Sequence, residues 1–312
     1  MQHDPLQQYR DFPRAQQAPE GMRVHAANKD LPAVAMAGNV VYASYGATNL
    51  HLQILYPLCA PYAEQQCRDY PCIVYVQGSG WHKQDVYRRI PCLCELAKCG
   101  YVIALVEYRH STLAPFPAQI QDAKTAVRWL RAHAAEYSGD PARIAIMGDS
   151  SGGHTSLMAH LTQGEALFDS GLYPEYSDTV CGCAALYPPV DLALMHLGGS
   201  PMDHASAASP EGLLLGGRPI SEVPAGELAV SCPVHWVDAK RSLPPTLLLH
   251  GDNDATVPFG ESVKMYEALR HARQDATFYK VENAGHGGPD FWAPEFIHLY
   301  DAFFRRCFAG AK

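Results

Sequence analysis

The sequence lacks several features that mark large classes of proteins. None of its apolar runs reaches the roughly 18 residues needed to cross a bilayer, so no membrane span is predicted. Positive charge is not in excess, because 24 Lys and Arg stand against 32 Asp and Glu and leave a net charge of −8. Nucleic-acid binding normally requires a basic surface, and this balance therefore disfavours it.

The N-terminal segment also lacks a targeting pattern. It has no basic stretch followed by an apolar one, so no secretory signal is visible. A cytoplasmic location is the default expectation, although a mature chain whose signal had been removed would look the same. Charged residues are only 18% of the 312 residues and apolar residues are 47%, which indicates a globular chain of a length that fits one large domain.

The ten cysteines lack the spacing of a zinc site. Two Cys-x-Cys pairs occur, at Cys92/Cys94 and Cys181/Cys183, but neither is a Cys-x2-Cys pair and neither has nearby His ligands. We expect reduced, buried thiols of a cytosolic enzyme rather than a metal centre. A disulfide stays open for three cysteines near a Pro-rich loop, which are Cys59, Cys67 and Cys72.

Short apolar strands alternate with helical patterns from residue 73 onward, and this predicts a mostly parallel sheet with helices on both faces. Two earlier strands, from residue 39, predict a hairpin. Residues 1–35 predict an irregular arm, and residues 188–244, rich in Gly, Pro, Ser and Ala, predict a cap-like insertion in a single domain spanning 1–312. The later strands are expected near 73–76, 102–106, 144–147, 183–187, 246–250 and 277–281, and the helices over 86–98, 117–137, 152–161, 260–272 and 293–307.

Residues 148–152 read Gly-Asp-Ser-Ser-Gly and lie between a predicted strand and a predicted helix. This is the context of a nucleophile elbow, whose tight turn lifts the hydroxyl of Ser150 above the sheet. The turn also points the first amides of the next helix at the reaction centre. The simpler interpretation, a glycine-rich turn that opens a helix, is disfavoured by the strand–turn–helix context.

A serine nucleophile needs a base and a carboxylate that orients it. His286 stands out among 15 histidines because Gly residues flank it in a loop after a strand. Two aspartates, Asp252 and Asp254, follow the strand that ends at His250. The order Ser, Asp, His is that of an α/β-hydrolase, and the residues alone leave both aspartates open, with Asp254 favoured.

Backbone N–H donors for a developing oxyanion are also predicted. One is the amide of Ser151, directly after the serine. Others are expected in the loop at residues 77–81, Gln-Gly-Ser-Gly-Trp, which follows the first buried strand. Small residues there let the backbone approach a substrate, although an ordinary glycine turn would look similar.

These motifs together resemble those of a known family. They are the loop at 77–81, Tyr108-Arg109, Phe116-Pro117 with Asp122, the segments 126–130 and 148–154, Ser209-Pro210-Glu211, and the segments 214–217, 250–258 and 284–287. Over about residues 39–306 the chain is similar to α/β-hydrolase esterases, in particular the bifunctional feruloyl and acetyl-xylan esterases and the hormone-sensitive-lipase-like group. The resemblance implies the α/β-hydrolase fold and a Gly-x-x-Asp-x-x-Val-Pro acid, which selects Asp254. It further implies that Ser79 and Gly80 donate their amides.

The chain departs from the family in the oxyanion loop. Gln77 and Ser79 stand where the family usually has the His and the middle Gly of His-Gly-Gly-Gly. We expect Gln77 to hold the loop by hydrogen bonds. The Ser79 side chain either crowds the hole or adds a hydroxyl donor, and Ser79→Gly is expected to keep or modestly raise activity. Trp81 either lines the acyl pocket or plugs the sheet edge.

The sequence therefore predicts a serine carboxylic-ester hydrolase that needs no metal or cofactor. The expected partner is a small ester with a short acyl or aryl group, and acetylated or feruloylated carbohydrate is a candidate. An arylformamidase or small peptidase with the same three residues is the alternative. A non-catalytic binding protein is disfavoured because Ser150, Asp254 and His286 are all kept. Acyl and alcohol specificity and the oligomeric state stay open.

Overall fold

The computed structural model describes residues 12–26, 32–58 and 69–310, which form an eight-stranded sheet flanked by helices. Its strands lie in the order β1-β2-β4-β3-β5-β6-β7-β8. They are β1 (Ala33–Tyr45), β2 (Thr48–Leu58), β3 (Tyr70–Val76), β4 (Val102–Val106), β5 (Gly139–Asp149), β6 (Cys183–Leu186), β7 (Thr246–Gly251) and β8 (Ala276–Val281). The helices are α1 (Ile90–Ala97), α2 (Ala118–His133), α3 (Ser151–Leu161), α4 (Pro210–Leu214), α5 (Ala225–Val230), α6 (Gly260–His271) and α7 (Pro294–Ala309).

The pairing of the strands confirms the predicted fold class. β1 and β2 form an antiparallel hairpin that joins the sheet through an antiparallel pairing of β2 with β4, whereas β3 to β8 are parallel to one another. Parallel strands are buried on both faces, which is why the strand at 73–76 is a continuous apolar run rather than an alternating one. This is the mostly parallel, two-face-covered sheet of an α/β-hydrolase.

Each face of the sheet carries its own apolar core. In β4, Val102 and Ala104 pack into one core and Ile103 and Leu105 into the other, since side chains alternate along a strand. Helices α2, α3 and α6 cover the first face, and α1 and α7 cover the second. The two layers hold the sheet rigid beneath the loops that leave its strand ends.

Several predicted boundaries differ from the structure. β1 begins at Ala33, inside the segment predicted as an arm, and the rest of that segment is described only for 12–26 and 32. α1 begins at Ile90 rather than at 86, because turns occupy the residues before it and Pro91 suits a first helical turn. Cys72 is buried in β3, whereas Cys59 and Cys67 lie outside the described residues.

Between β6 and β7 the chain forms α4, α5 and short 3-10 turns instead of further sheet. The hydroxyl of Ser209 caps α4 by accepting a hydrogen bond from the Gly212 amide at 3.0 Å. A small apolar cluster ties this segment to the loops above the sheet and includes Leu192, Leu214, Cys232, Val257 and Trp81. Within the residues that the structure describes, no helix is both long and apolar enough to cross a membrane.

Candidate active site

Ser150 lies in the turn between β5 and α3. Its φ of 53° and ψ of −127° are unfavourable for a residue with a side chain and are held by the surrounding packing. A Cβ on Gly152 would collide with the carbonyl oxygen of Val76, and one on Gly148 would collide with the carbonyl oxygen of Gly152. The Gly-x-Ser-x-Gly spacing is therefore a steric requirement of this turn.

The structure brings three predicted site residues together. His286 Nε2 lies 2.8 Å from Ser150 Oγ, and His286 Nδ1 lies 2.7 Å from Asp254 Oδ2. The three side chains come from the loops that follow β5, β7 and β8, whose carboxyl ends meet at one edge of the sheet. Asp254 is fully buried, while the His286 side chain is 21% exposed and, like Ser150, faces a cavity.

The two candidate aspartates have different surroundings. Asp252 accepts a hydrogen bond from the Asn283 amide at 2.8 Å and lies 3.6 Å from Lys280 Nζ, at the protein surface. Asp254 is the one that contacts His286. The geometry thus agrees with the aspartate that the family resemblance selects.

Asp254 is held by a dense set of donors. Its Oδ1 accepts the amides of Thr256 and Val257 at 2.8 and 2.9 Å, and its Oδ2 lies 3.2 Å from His250 Nε2 as well as against His286. Burial alone would raise the pKa of this carboxyl. Hydrogen bonds from His250 and His286 outweigh it and hold the pKa below its usual range. Asp254 is therefore ionised at neutral pH.

Sequence reasoning missed His250, the last buried side chain of β7. It directly precedes the acid loop, which is the segment between β7 and α6 that carries Asp254. Its Nε2 faces two acceptors, the carbonyl of Val257 at 3.0 Å and the carboxylate of Asp254, so this nitrogen carries the proton. Its Nδ1 lies 2.8 Å from the hydroxyl of Ser262. The sequence showed only a histidine at the end of an apolar strand, which does not indicate the groups that its ring contacts.

The loop at 77–81 is held by Ser151 rather than only by its own backbone. The amides of Ser79 and Trp81 donate to Ser151 Oγ at 2.9 and 3.2 Å. The Ser79 hydroxyl donates to the carbonyl of His82 at 2.7 Å and lies 3.0 Å from the Tyr108 hydroxyl. The Ser79 hydroxyl is therefore bound by His82 and Tyr108 and anchors the loop, while the residue also lines the cavity.

Two amides beside Ser150 remain free in the described chain. Neither the N–H of Gly80 nor that of Ser151 makes a hydrogen bond to a described residue. The third predicted donor, Ser79, has its N–H on Ser151 Oγ, so it would have to exchange that bond before it bound another acceptor.

Asp149 anchors the other end of this loop. Its Oδ1 accepts hydrogen bonds from the Gly78 amide at 2.8 Å and the Tyr75 hydroxyl at 2.7 Å, and its Oδ2 pairs with Arg89 at 2.7 Å. A Cβ on Gly78 would collide with the Asp149 carbonyl. Asp149 therefore orients an amide of the loop and fixes the loop beside the turn of Ser150.

Gln77 and Trp81 lie at the two ends of this loop, and their side chains have different surroundings. The side-chain oxygen of Gln77 is buried and finds no hydrogen-bond partner among the described residues, so the expected side-chain anchor is not formed through it. Trp81 is 1% exposed and packs edge to face on His154 at 5.1 Å. It forms part of the cavity wall and does not lie at a sheet edge.

The cavity above Ser150 has a volume of about 350 Å³. Its walls include apolar side chains from several loops, among them Trp81, Tyr187, Met202 and Val257. The segment between β6 and β7 adds two polar side chains, His204 and Glu211. This space accepts a small ligand directly against the Ser150 hydroxyl.

Comparisons with known proteins identify the family of this chain. The BD-FAE family model matches residues 60–269, about two thirds of the chain. A probable carboxylic ester hydrolase, LipM of Mycobacterium tuberculosis, is 30% identical over 67% of this chain and 47% of its own length. LipC, an esterase of the same organism, is 30% identical over 70% of this chain and 53% of its own. The chain thus spans about half the length of these relatives.

Solved structures show the same fold. A truncated form of a carbohydrate esterase from gut microbiota superposes with a TM-score of 0.77 at 30% identity, covering 90% of this chain and 99% of the other. The propionate-bound Est2 esterase of Thermogutta terrifontis gives a TM-score of 0.68 at 25% identity, covering 87% and 94%. With its matching family model, sheet order and nucleophile turn, this chain belongs to the BD-FAE family of α/β-hydrolase esterases.

Proposed function

We propose that the protein hydrolyses carboxylic esters through a Ser150–His286–Asp254 triad. The observation that carries the proposal is the unbroken hydrogen-bonded line from buried Asp254 through His286 to a serine that faces a cavity. In this mechanism Ser150 Oγ attacks the ester carbonyl while His286 Nε2 takes its proton. Asp254 keeps the other ring nitrogen protonated and stabilises the imidazolium.

The remaining steps follow from the same groups. The tetrahedral oxyanion is bound by the amides of Gly80 and Ser151, and Ser79 joins them if its N–H leaves Ser151 Oγ. Collapse of the intermediate breaks the C–O bond, and His286 gives its proton to the departing alcohol. Water, deprotonated by His286, then attacks the acyl-serine and releases the acid, which restores Ser150.

A short acyl or aryl ester fits the site best. The cavity is small and mostly apolar near Ser150, which suits a compact acyl group. Similar proteins support short acyl groups and carbohydrate esters as substrates. One is a carbohydrate esterase, and the Thermogutta esterase has propionate or butyrate bound in its solved structures. We therefore place acetylated or feruloylated carbohydrates among the substrates to be tried first.

The nucleophile is tested by Ser150→Ala. Because the acyl-enzyme cannot form, kcat for p-nitrophenyl acetate is expected to fall by about 10⁶ while the fold persists. Labelling by a fluorophosphonate probe should stop, whereas Ser221→Ala, an exposed serine in the same chain, should label like the parent. Persistent labelling of the Ser150 variant would assign the nucleophile elsewhere.

Substrate class is tested with a hydrolysis panel of aryl acetates, butyrates, octanoates, hydroxycinnamates and acetylated sugars, together with N-formylkynurenine. A higher kcat/KM on acyl esters than on N-formylkynurenine is expected. The reverse ranking would make the protein an arylformamidase that uses the same three residues.

A further inference from the structure

The segment between β6 and β7 reaches the cavity through a buried ion pair. His204 and Glu211 are 3% and 2% exposed, and His204 Nδ1 lies 3.0 Å from Glu211 Oε1. On the other side of the ring, Nε2 lies 2.9 Å from the Thr256 carbonyl and 3.1 Å from Ser200 Oγ. Both ring nitrogens therefore have partners.

These partners define the protonation state of His204. The Ser200 hydroxyl donates to the Ala255 carbonyl at 2.8 Å, so towards His204 its oxygen is an acceptor, as is the Thr256 carbonyl. Nε2 must then carry a proton, while Nδ1 faces a carboxylate. A neutral imidazole has one N–H, so with a carboxylate at Glu211 both bonds require the imidazolium.

The charges around the ring favour this state. Burial lowers the pKa of His204, but the hydrogen bond and charge of Glu211, with Asp203 beside it, outweigh burial and raise the pKa above its ordinary value of 6.5. The acid loop presents the uncharged Thr256 carbonyl to the ring. The charged pair is thus favoured below the raised pKa of His204 and weakens as pH rises through it.

The pair acts on the loop that carries Asp254. Ser200 and His204 bind the carbonyls of Ala255 and Thr256, and the amides of Thr256 and Val257 bind Asp254 Oδ1. A continuous set of hydrogen bonds thus runs from Glu211 on α4 to the carboxylate that contacts His286. The Ser209-Pro210-Glu211 motif lies at the end of this set of hydrogen bonds that is farthest from His286.

Stability alone does not account for the pair. Burying two charged groups costs several kcal/mol each by general estimate, and apolar replacements of such pairs are often neutral or stabilising. Here one carboxylate oxygen, Glu211 Oε2, is buried and has no hydrogen-bond partner in the described part of the chain. The buried pair therefore stabilises the fold less than apolar side chains would, at a position that contacts the acid loop.

We infer that His204 and Glu211 are positioning residues that couple the segment between β6 and β7 to Asp254. This inference rests on the proposed triad. The imidazolium holds the Thr256 carbonyl, the loop holds the carboxylate, and the carboxylate holds His286 against Ser150. Loss of the charge on Glu211 leaves one N–H to serve two acceptors and loosens the loop.

Glu211→Gln tests this coupling, because it keeps the shape and an acceptor but removes the charge. At pH 7 burial disfavours the charge on His204 of the variant, whereas Glu211 favours it in the parent, so kcat/KM for p-nitrophenyl acetate should fall about tenfold, less than the 10²-fold expected for a 1 Å misplacement of reacting groups. As pH rises through the raised pKa of His204, the parent loses the same charge. The ratio of variant to parent activity should then recover at least threefold by pH 9.

Three further variants separate the possible outcomes. Glu222→Gln, an exposed glutamate of the same segment, should keep a ratio near one at both pH values. The double change His204→Phe with Glu211→Leu should melt within a few degrees of the parent, yet lose at least as much activity as Glu211→Gln at pH 7. A Glu211→Gln ratio that is independent of pH, or a fully active double variant, overturns the inference. Full activity in Ser150→Ala would instead overturn the proposed function.

Discussion

Two aspartates only two positions apart have unequal surroundings in this site. Asp254 is fully buried and its carboxylate contacts four donors, two amides and two histidines. Asp252 lies at the surface, where Lys280 and the Asn283 amide are its neighbours. A carboxylate that orients the base must be ionised and fixed, and Asp254 meets both conditions.

Replacing each aspartate by Asn compares the two positions with the same chemistry. Asp254→Asn should lower kcat by about 10⁴, because an amide stabilises the wrong tautomer of His286. Asp252→Asn should change kcat by less than about threefold, since it alters only a solvent-screened contact. Steady-state kinetics on one aryl ester decide the comparison, and equal losses in both variants would contradict the assignment.

The loop at 77–81 acts as an element whose shape is fixed from outside. The Gly78 amide donates to Asp149, and the amides of Ser79 and Trp81 donate to Ser151 Oγ. The Ser79 hydroxyl donates to the carbonyl of His82. Burial raises the pKa of the Tyr108 hydroxyl that also touches Ser79 to about 12, so this phenol stays neutral. Every one of these contacts holds the free Gly80 amide where it is.

The structure changes the outcome expected for Ser79→Gly. The sequence predicted equal or modestly higher activity, on the argument that the hydroxyl crowds the hole. Because the hydroxyl instead anchors the loop, its removal should cost about 1 kcal/mol and lower kcat about fivefold. Steady-state kinetics and a thermal melt check the variant together, and a kcat above that of the parent would support the earlier argument.

The elements were predictable where chemistry and periodicity coincide. Buried strands such as 73–76 and 102–106 are short apolar runs, and the glycines of the nucleophile turn are demanded by collisions that any Cβ would cause. The role of His250 and the direction of the Ser79 hydroxyl were not predictable. They depend on side-chain rotamers and on loops far apart in sequence, which no local pattern encodes.

The bounds of some elements were also not predictable from local sequence. β5 begins at Gly139, five residues before the apolar run that predicted it, because Gly139 pairs with Tyr70 of β3 ahead of an irregularity in the register, and the regular ladder resumes at Ile144. The segment between β6 and β7 lacked any periodicity, so its contribution of His204 and Glu211 to the cavity was visible only in three dimensions.

Across the whole molecule, buried histidines make stability depend on pH. Burial lowers the pKa of both His154 and His160 from 6.5 to about 4. Between these values the unfolded chain binds protons that the folded chain does not, so stability present at neutral pH is lost as pH falls below 6.5. At pH 5 the loss is about 2 kcal/mol for each histidine.

Thermal melting at pH 7 and pH 5 measures this dependence. The melting temperature of the parent should fall by several degrees, as expected for a few kcal/mol in a chain of this size. His160→Gln should show a smaller difference between the two pH values, whereas His271→Gln, at an exposed position, should show the parent's difference. An equal difference in melting temperature between the two pH values in both variants would show that His160 does not contribute to the pH dependence of stability.

The strand order also bears on synthesis at the ribosome. From β6 onward each new strand pairs with the strand made just before it, so this half of the sheet grows outward in the direction of translation. Ser150 follows β5, before this growth begins, and His286 follows 136 residues later, after β8. With the proposed triad, a nascent chain therefore carries a serine without its base until the last strand has been made.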